Sequence, residues 1–221
     1  ADFERTAPPR AAAKVTAPRS FNLVGLRWRG DAAPDVELRA LRKTGWSRWK
    51  DLGVHGSGGS DPVWVGHART VQYRLSRRPP GLRLHFVTVP RLRVRARASQ
   101  TASTPFPYVS RADWGADQCP PRAAPSYGQV KAVAVHHTVS LNDYTQAEAP
   151  QIVLAICRYH RNSNGWNDIG YNALVDKYGT IYEGRAGGLD QAVIGAHAQG
   201  FNSQTAGVAI VNQRLNSWVR R

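Results

Sequence analysis

The chain has 221 residues, with 30 Lys+Arg against 15 Asp+Glu, a formal charge of +15. That length admits one large domain or two small ones, and 42% apolar residues suffice for a core. No apolar run is long enough to cross a bilayer as a helix, and the N-terminus holds no signal-peptide core. A first residue Ala1 rather than Met fits an exported chain whose leader has been removed. Lys occurs only at positions 14, 43, 50, 131 and 177, so Arg carries most of the charge. Such a charge favours polyanions, among them nucleic acid, acidic lipid and acidic wall polymers. A compositional bias toward Arg and Ala explains it equally well. The Arg residues show no aromatic-interleaved pattern of the kind nucleic-acid modules use, which argues against nucleic acid.

Residues 1–20, "ADFERTAPPRAAAKVTAPRS", are rich in Ala, Pro and Arg and read as a disordered basic arm. From Phe21 the texture changes. "FNLVGLRWRG", "VELRALRKTG", "DPVWVGHA", "TVQYRLS" and "GLRLHFVTV" alternate apolar with polar and are separated by Gly, Pro and Asp. This is the period-two signature of short strands, and it predicts a small antiparallel β domain over 21–90. Within it "ELRALRK" also fits a helix. "RLRVRARA" (91–98) reads as a charged edge strand and "SQTASTPFP" (99–107) as a linker, so 91–109 joins the two parts.

From residue 110 on, strands mix with helix signals: a strand at 131–137, a helix near 146–162, a hairpin at 169–184 and a strand at 206–211. This predicts an α/β domain. Thr145 and Glu148 have capping-box spacing, and Ile152, Ile156 and Tyr159 share a helix face. Pro150 requires the helix to begin near it. In the hairpin, Tyr171, Ala173 and Val175 fall on one face, Asn172 and Leu174 on the other. Cys119 and Cys157 fit one disulfide or two thiols.

"KAVAVHHTVS" (131–140) ends a strand on two adjacent histidines. Neighbours on a strand point to opposite faces, so His136 and His137 cannot both ligate one metal. A catalytic zinc needs about three protein ligands and an open position, and a single His is more often structural. Tyr171 is placed to donate to a developing oxyanion, or is a buried strand aromatic. His197, in the Gly-flanked "GAHAQGFN", touches a ligand or caps a turn. His160, at the helix end, reads as a surface residue compensating the helix dipole. His55, His67 and His85 show no ligand spacing.

The segment 110–211 resembles the peptidoglycan recognition protein family, the type-2 N-acetylmuramoyl-L-alanine amidases. The resemblance rests on "SRADWGA" (110–116), "VAVHHT" (133–138), "WNDIGYNALVDKYGTIYEGR" (166–185), "GAHAQGFN" (195–202) and "GVAIV" (207–211), in that order. The segment 21–90 is similar to the N-terminal region of secreted actinobacterial members. The resemblance implies a mixed central sheet with helices around it and a groove that binds the glycan–peptide junction of peptidoglycan. It implies His136 as a zinc ligand, Tyr171 as the catalytic tyrosine, and His197, His137 and Thr138 as substrate-binding positions. The implied reaction is zinc-dependent hydrolysis of the amide between N-acetylmuramic acid and L-alanine, in a secreted or wall-bound protein.

The family's other two zinc ligands are a His in a "GHR"-like block and a Cys in a "CPG"-like block. Neither block is present, and "NQRLNSWVRR" follows "GVAIV" instead. The resemblance therefore implies a domain truncated at its C-terminus, an incomplete zinc site and reduced stability. Cys119 and His197 have no spacing that makes them substitute ligands. Arg185 is followed by Ala186, Gly187 and Gly188 where relatives reading diaminopimelate-type stems often carry Gly-Trp. Three functions follow: a zinc amidase, a peptidoglycan binder without catalysis, and a basic protein that grips anionic wall polymers.

Overall fold

The computed structural model describes residues 2–55, 58–92, 98–99, 106–138 and 142–212. They fall into two compact units, one centred on Ala1–Val89, the other on Pro90–Thr138 with Asn142–Arg221.

The first unit is all β. Its strands are β1 (Phe3–Thr6), β2 (Ala12–Arg27), β3 (Val36–Arg42), β4 (Gly45–Trp46), β5 (Lys50–Leu52), β6 (Val54–His55), β7 (Gly59–Ser60), β8 (Val63–Leu75) and β9 (Arg83–Val87). The order is β1-β9-β2-β8-β3-β4, with β5 on β3 and the β6–β7 pair on β2. All its pairings are antiparallel. "ELRALRK" lies in β3, because Val36, Leu38 and Ala40 are buried in strict alternation.

Residues 1–20 are not a disordered arm. Phe3–Thr6 pairs with β9, and Ala12–Thr16 pairs with the second half of β8. Phe3 stacks on Phe86 at 5.0 Å, and Val15 and Ala17 are buried. The Ala/Pro/Arg composition conceals a real alternation: Ala13, Val15 and Ala17 face inward, while Ala12, Lys14 and Thr16 face out. β2, 16 residues long, pairs with β8 from Ala12 to Val24 and on its other edge with β9 at Leu23–Arg27, with register shifts to β8 between Thr16 and Leu23 around Pro18. A proline fits where the ladder is already broken.

The second unit holds β10 (Ala98–Ser99), β11 (Tyr108–Val109), β12 (Ala132–His137), β13 (Ala173–Asp176), β14 (Ile181–Glu183), β15 (Thr205–Val211) and one α-helix, α1 (Ala149–Asn162). The sheet order is β10-β11-β14-β13-β15-β12. It is mixed: β12 and β13 run parallel to β15, and β13 is antiparallel to β14. The expected strand at 91–98 and linker at 99–107 lie mostly outside the described residues, as do 213–221.

Thr145 and Glu148 form the expected capping box, but on a 3₁₀ turn, Gln146–Glu148, that runs into α1. Pro150 sits in the first turn of α1, where its missing N–H costs nothing. Ile152, Ile156 and Tyr159 are buried. Cys119 and Cys157 form a disulfide that ties the 3₁₀ turn Ala116–Gln118 to α1.

"SRADWGA" is an anchor. Trp114 is fully buried, and its indole N–H donates to Glu183 O at 2.7 Å. Arg111 donates to Gly184 O and pairs with Asp168 at 3.2 Å. Asp168, 1% exposed, also accepts the N–H groups of Ile169 and Ala186. A buried carboxylate is tolerable only with partners of this number.

Candidate functional site

β12 delivers its histidines as alternation requires. Ala134 and His136 share one face, and Val133, Val135 and His137 the other. His136 lies beside His197 although 61 positions separate them: His136 Nε2 and His197 Nδ1 are 3.0 Å apart. The rings meet edge to face at 5.1 Å between centroids. Tyr171, just before β13, lies at 5.5 Å from His136, centroid to centroid. Three positions from three separate sequence blocks therefore converge.

His197 occupies a slot made by the backbone. A Cβ on Gly207 would stand 2.4 Å from its ring, and one on Gly195 would stand 2.5 Å from it. Asn202 Oδ1 accepts the N–H groups of His197 and Ala198, fixing the loop. Asn172 Oδ1 accepts Gly207 N–H at 2.8 Å, and its amide donates to Val193 O.

The hydrogen bonds set the tautomers. His197 Nε2 faces the Thr205 carbonyl at 3.3 Å, and a carbonyl only accepts, so Nε2 carries the proton. Nδ1 of the neutral ring then accepts from His136 Nε2–H. Burial holds the His197 imidazole below its ordinary pKa; the Thr205 carbonyl opposes this, and the Arg185 guanidinium adds to it. Burial likewise lowers Arg185, with Asp168 opposing and Arg111 reinforcing.

The other expected positions are not in this cluster. His137 faces away from it, and its Nδ1 is buried with no hydrogen-bond partner among the described atoms. Thr138 is buried at the strand end, its N–H donating to Ile210 O at 2.9 Å.

His160 corrects the reading of a surface residue. It is 5% exposed, and its Nδ1 accepts Gly170 N–H at 3.1 Å. Its ring packs on Trp166 at 4.6 Å and on Tyr171 at 5.5 Å. The signal was available in the spacing: Ile152, Ile156 and His160 are four apart on the buried stripe of α1.

A zinc ion is the group the resemblance implies. Among the described residues, no three His, Cys, Asp or Glu side chains are grouped to hold a metal. His136 and His197 hydrogen-bond to each other, and Cys119 is consumed in a disulfide. The described residues do not form a three-ligand zinc site.

Two family models match the chain. The Rv3811 N-terminal galactose-binding domain-like model covers residues 3–108. The N-acetylmuramoyl-L-alanine amidase model covers residues 126–220. Peptidoglycan-recognition protein SC2 of Drosophila simulans is 35% identical over 104 residues, covering 47% of this chain and 53% of the relative. The N-acetylmuramoyl-L-alanine amidase of Homo sapiens is 38% identical over 107 residues, covering 46% of this chain and 17% of the relative. The crystal structure of peptidoglycan recognition protein-LE in complex with tracheal cytotoxin is similar at 33% identity and a TM-score of 0.43, covering 48% of this chain and 59% of that one. The chain spans about half the length of the SC2 protein, at 53%. No helix among the described residues is long and apolar enough to cross a membrane. The chain thus joins an all-β domain matched by a galactose-binding-like family model to a mixed-sheet domain matched by the N-acetylmuramoyl-L-alanine amidase model and similar in sequence to peptidoglycan-recognition proteins.

Proposed function

We propose that the second unit recognises peptidoglycan at its glycan–peptide junction, through His136, Tyr171 and His197. The observation that carries this reading is the convergence of those three family positions, with His136 and His197 3.0 Å apart. The Tyr171 phenol suits an amide or sugar oxygen, and the two imidazoles, bonded to each other and to Thr205 O, fix the wall beside it. Tyr171 is held by His160, and His197 by its glycine slot, so the donors are in place before a ligand arrives. His137, pointing to the other face, takes no part; Thr138 lines the end of the same strand. Secretion to the cell wall accords with such a substrate.

The test is sedimentation with purified peptidoglycan. The full chain is expected to pellet with the polymer whether or not a chelator is present. His197→Ala and Tyr171→Phe are each expected to weaken retention severalfold. Retention equal to wild type in both variants would overturn the assignment.

The family match over 126–220 favours a second reading, hydrolysis of the amide between N-acetylmuramic acid and L-alanine. In that reading His136 would be one zinc ligand, and the metal would supply a Lewis acid for the scissile carbonyl. Tyr171 would donate a hydrogen bond to the oxyanion that develops. This reading requires two further ligands, and the residues outside the described ones hold no His, Cys, Asp or Glu. Release of soluble muropeptide that a chelator abolishes would establish it, and release that a chelator leaves intact would refute it.

A further inference from the structure

The first unit carries a stacked basic and aromatic surface that the amidase-family match does not touch. The segment "RALRKTGWSRWK", Arg39 to Lys50, contains Arg39, Arg42, Lys43, Arg48 and Lys50, two tryptophans and no acid. Contrary to the expectation drawn above from the Arg residues, this segment interleaves basic and aromatic residues. It is β3, the turn into β4 and the approach to β5, so a tight fold-back gathers it on one edge of the sheet.

Arg39 lies over both indoles, 4.7 Å from the Trp46 ring centroid and 4.6 Å from that of Trp49. Arg74, from β8, lies 3.8 Å from the Trp49 ring. Gln72 Oε1 accepts from Arg39 Nε and Nη2 at 2.8 and 2.6 Å, so this guanidinium is fixed in place. The stack is open to solvent at its ends: Trp46 is 37% exposed, and the Arg74 side chain is 54% exposed. Lys43 and Arg48 are exposed on either side of Trp46 in sequence. Glu37, 3.7 Å from Arg74, is the one carboxylate paired to the stack among the described residues. Cations thus outnumber it at the surface.

We propose that this surface docks a phosphate-bearing polysaccharide covalently attached to peptidoglycan. An exposed indole edge and face provide an apolar platform for a sugar ring. Lys43, Arg48 and Arg74 provide charges for phosphates repeated along the chain. A nucleic acid offers similar chemistry, stacked bases and phosphates. The wall polymer is favoured because it is attached to the ligand proposed for the second unit. The choice of occupant rests on that reading; the surface itself does not. Two binding units on one chain would then engage one polymer network, raising retention beyond either alone.

The experiment uses the full chain and Gram-positive walls before and after removal of phosphodiester-linked polysaccharide with hydrofluoric acid. Wild type is expected to bind the polymer-bearing walls at least tenfold more tightly than the stripped walls. In Lys43→Glu/Arg48→Glu that difference should disappear, while binding to stripped walls stays unchanged. Both residues are exposed, so this variant keeps the fold. Trp46→Ala should lose severalfold on polymer-bearing walls only. Equal binding of the charge-reversed variant and wild type to polymer-bearing walls would overturn the proposal. So would displacement from those walls by duplex DNA at a lower concentration than by the released polysaccharide. Failure to bind stripped walls would instead count against the peptidoglycan reading of the second unit and leave the difference between the two walls to judge this one.

Discussion

The two sheets dispose of their apolar side chains differently. In the first unit Val15, Leu38, Val71, Tyr73, Leu84 and Phe86 belong to one continuous buried cluster. In the second, Leu174, Tyr182, Ala209 and Val211 are buried on one face of the sheet. The opposite face carries Val133 and Val135, 60% and 63% exposed, at register positions beside Ala206 and Val208. The first unit has no cysteine, and its ion pairs Arg74–Glu37 and Arg83–Glu4 lie at the surface, whereas the second combines burial with a disulfide and a buried charged anchor around Asp168. The lesson is that covalent and ionic ties substitute for area in the second unit, so the two units should fail by different routes.

The largest effect should come from the disulfide. The Cys119–Cys157 link closes a 38-residue separation, for which chain entropy gives about 4 kcal/mol. Cys157→Ser should lower the unfolding free energy of the second unit by about that amount and leave the first unit's transition unmoved, as two-transition denaturant curves would report. A parallel loss in both transitions would erase the contrast.

Next is Gly207→Ala. The added methyl would meet the His197 ring at 2.4 Å, which should cost about 1–3 kcal/mol as overpacking. Peptidoglycan retention should fall with it, because the ring must leave its slot. Unchanged retention in a folded variant would show that His197 does not need this position.

A smaller effect concerns pH. Burial, with Arg185 nearby, depresses the His197 pKa in the fold, so the folded state favours the neutral ring. That contribution is complete above the ordinary imidazole pKa of about 6.5 and is lost as pH falls through the lower folded value. Proton NMR should place the His197 midpoint below about 6.5, with stability of the second unit declining on the acid side only. A midpoint above the ordinary value would contradict the geometry.

The smallest effect sharpens the comparison most directly. Val133→Lys and Val135→Lys should each change stability by within about 0.5 kcal/mol, because these side chains are already in water. Binding of an apolar dye to the sheet face should decrease. A loss of several kcal/mol would mean that something covers this face in solution.

Much of the site was legible because its residues lie in ordered blocks. "VAVHHT", "WNDIGY" and "GAHAQGFN" name His136, Tyr171 and His197, and alternation alone put His137 on the other face. The strands and the helix were readable from period and caps, and the mixed sheet from the resemblance. Three features were not. The strands within residues 1–20 were concealed because Ala and Pro make a weak alternation, resolved only by pairing with β8 and β9. His160 was misplaced because two signals conflict there: its helix-terminal position fits a solvated imidazole, and its spacing from Ile152 and Ile156 fits a buried one. The cysteine pairing depends on distance in space, which the spacing does not encode.

The slot around His197 has a consequence for how this chain can change by mutation. The three atoms nearest a Cβ on Gly207 all belong to the His197 imidazole, whereas a Cβ on Gly195 would also meet Gly170 O at 2.9 Å. Once position 197 carries a small side chain, alanine at 207 meets no ring and its cost should vanish. The same two substitutions are thus harmful in one order and tolerated in the other, a strongly non-additive pair. A lineage that first loses the histidine is free to fill the slot, and its return to the histidine is then blocked by the methyl group.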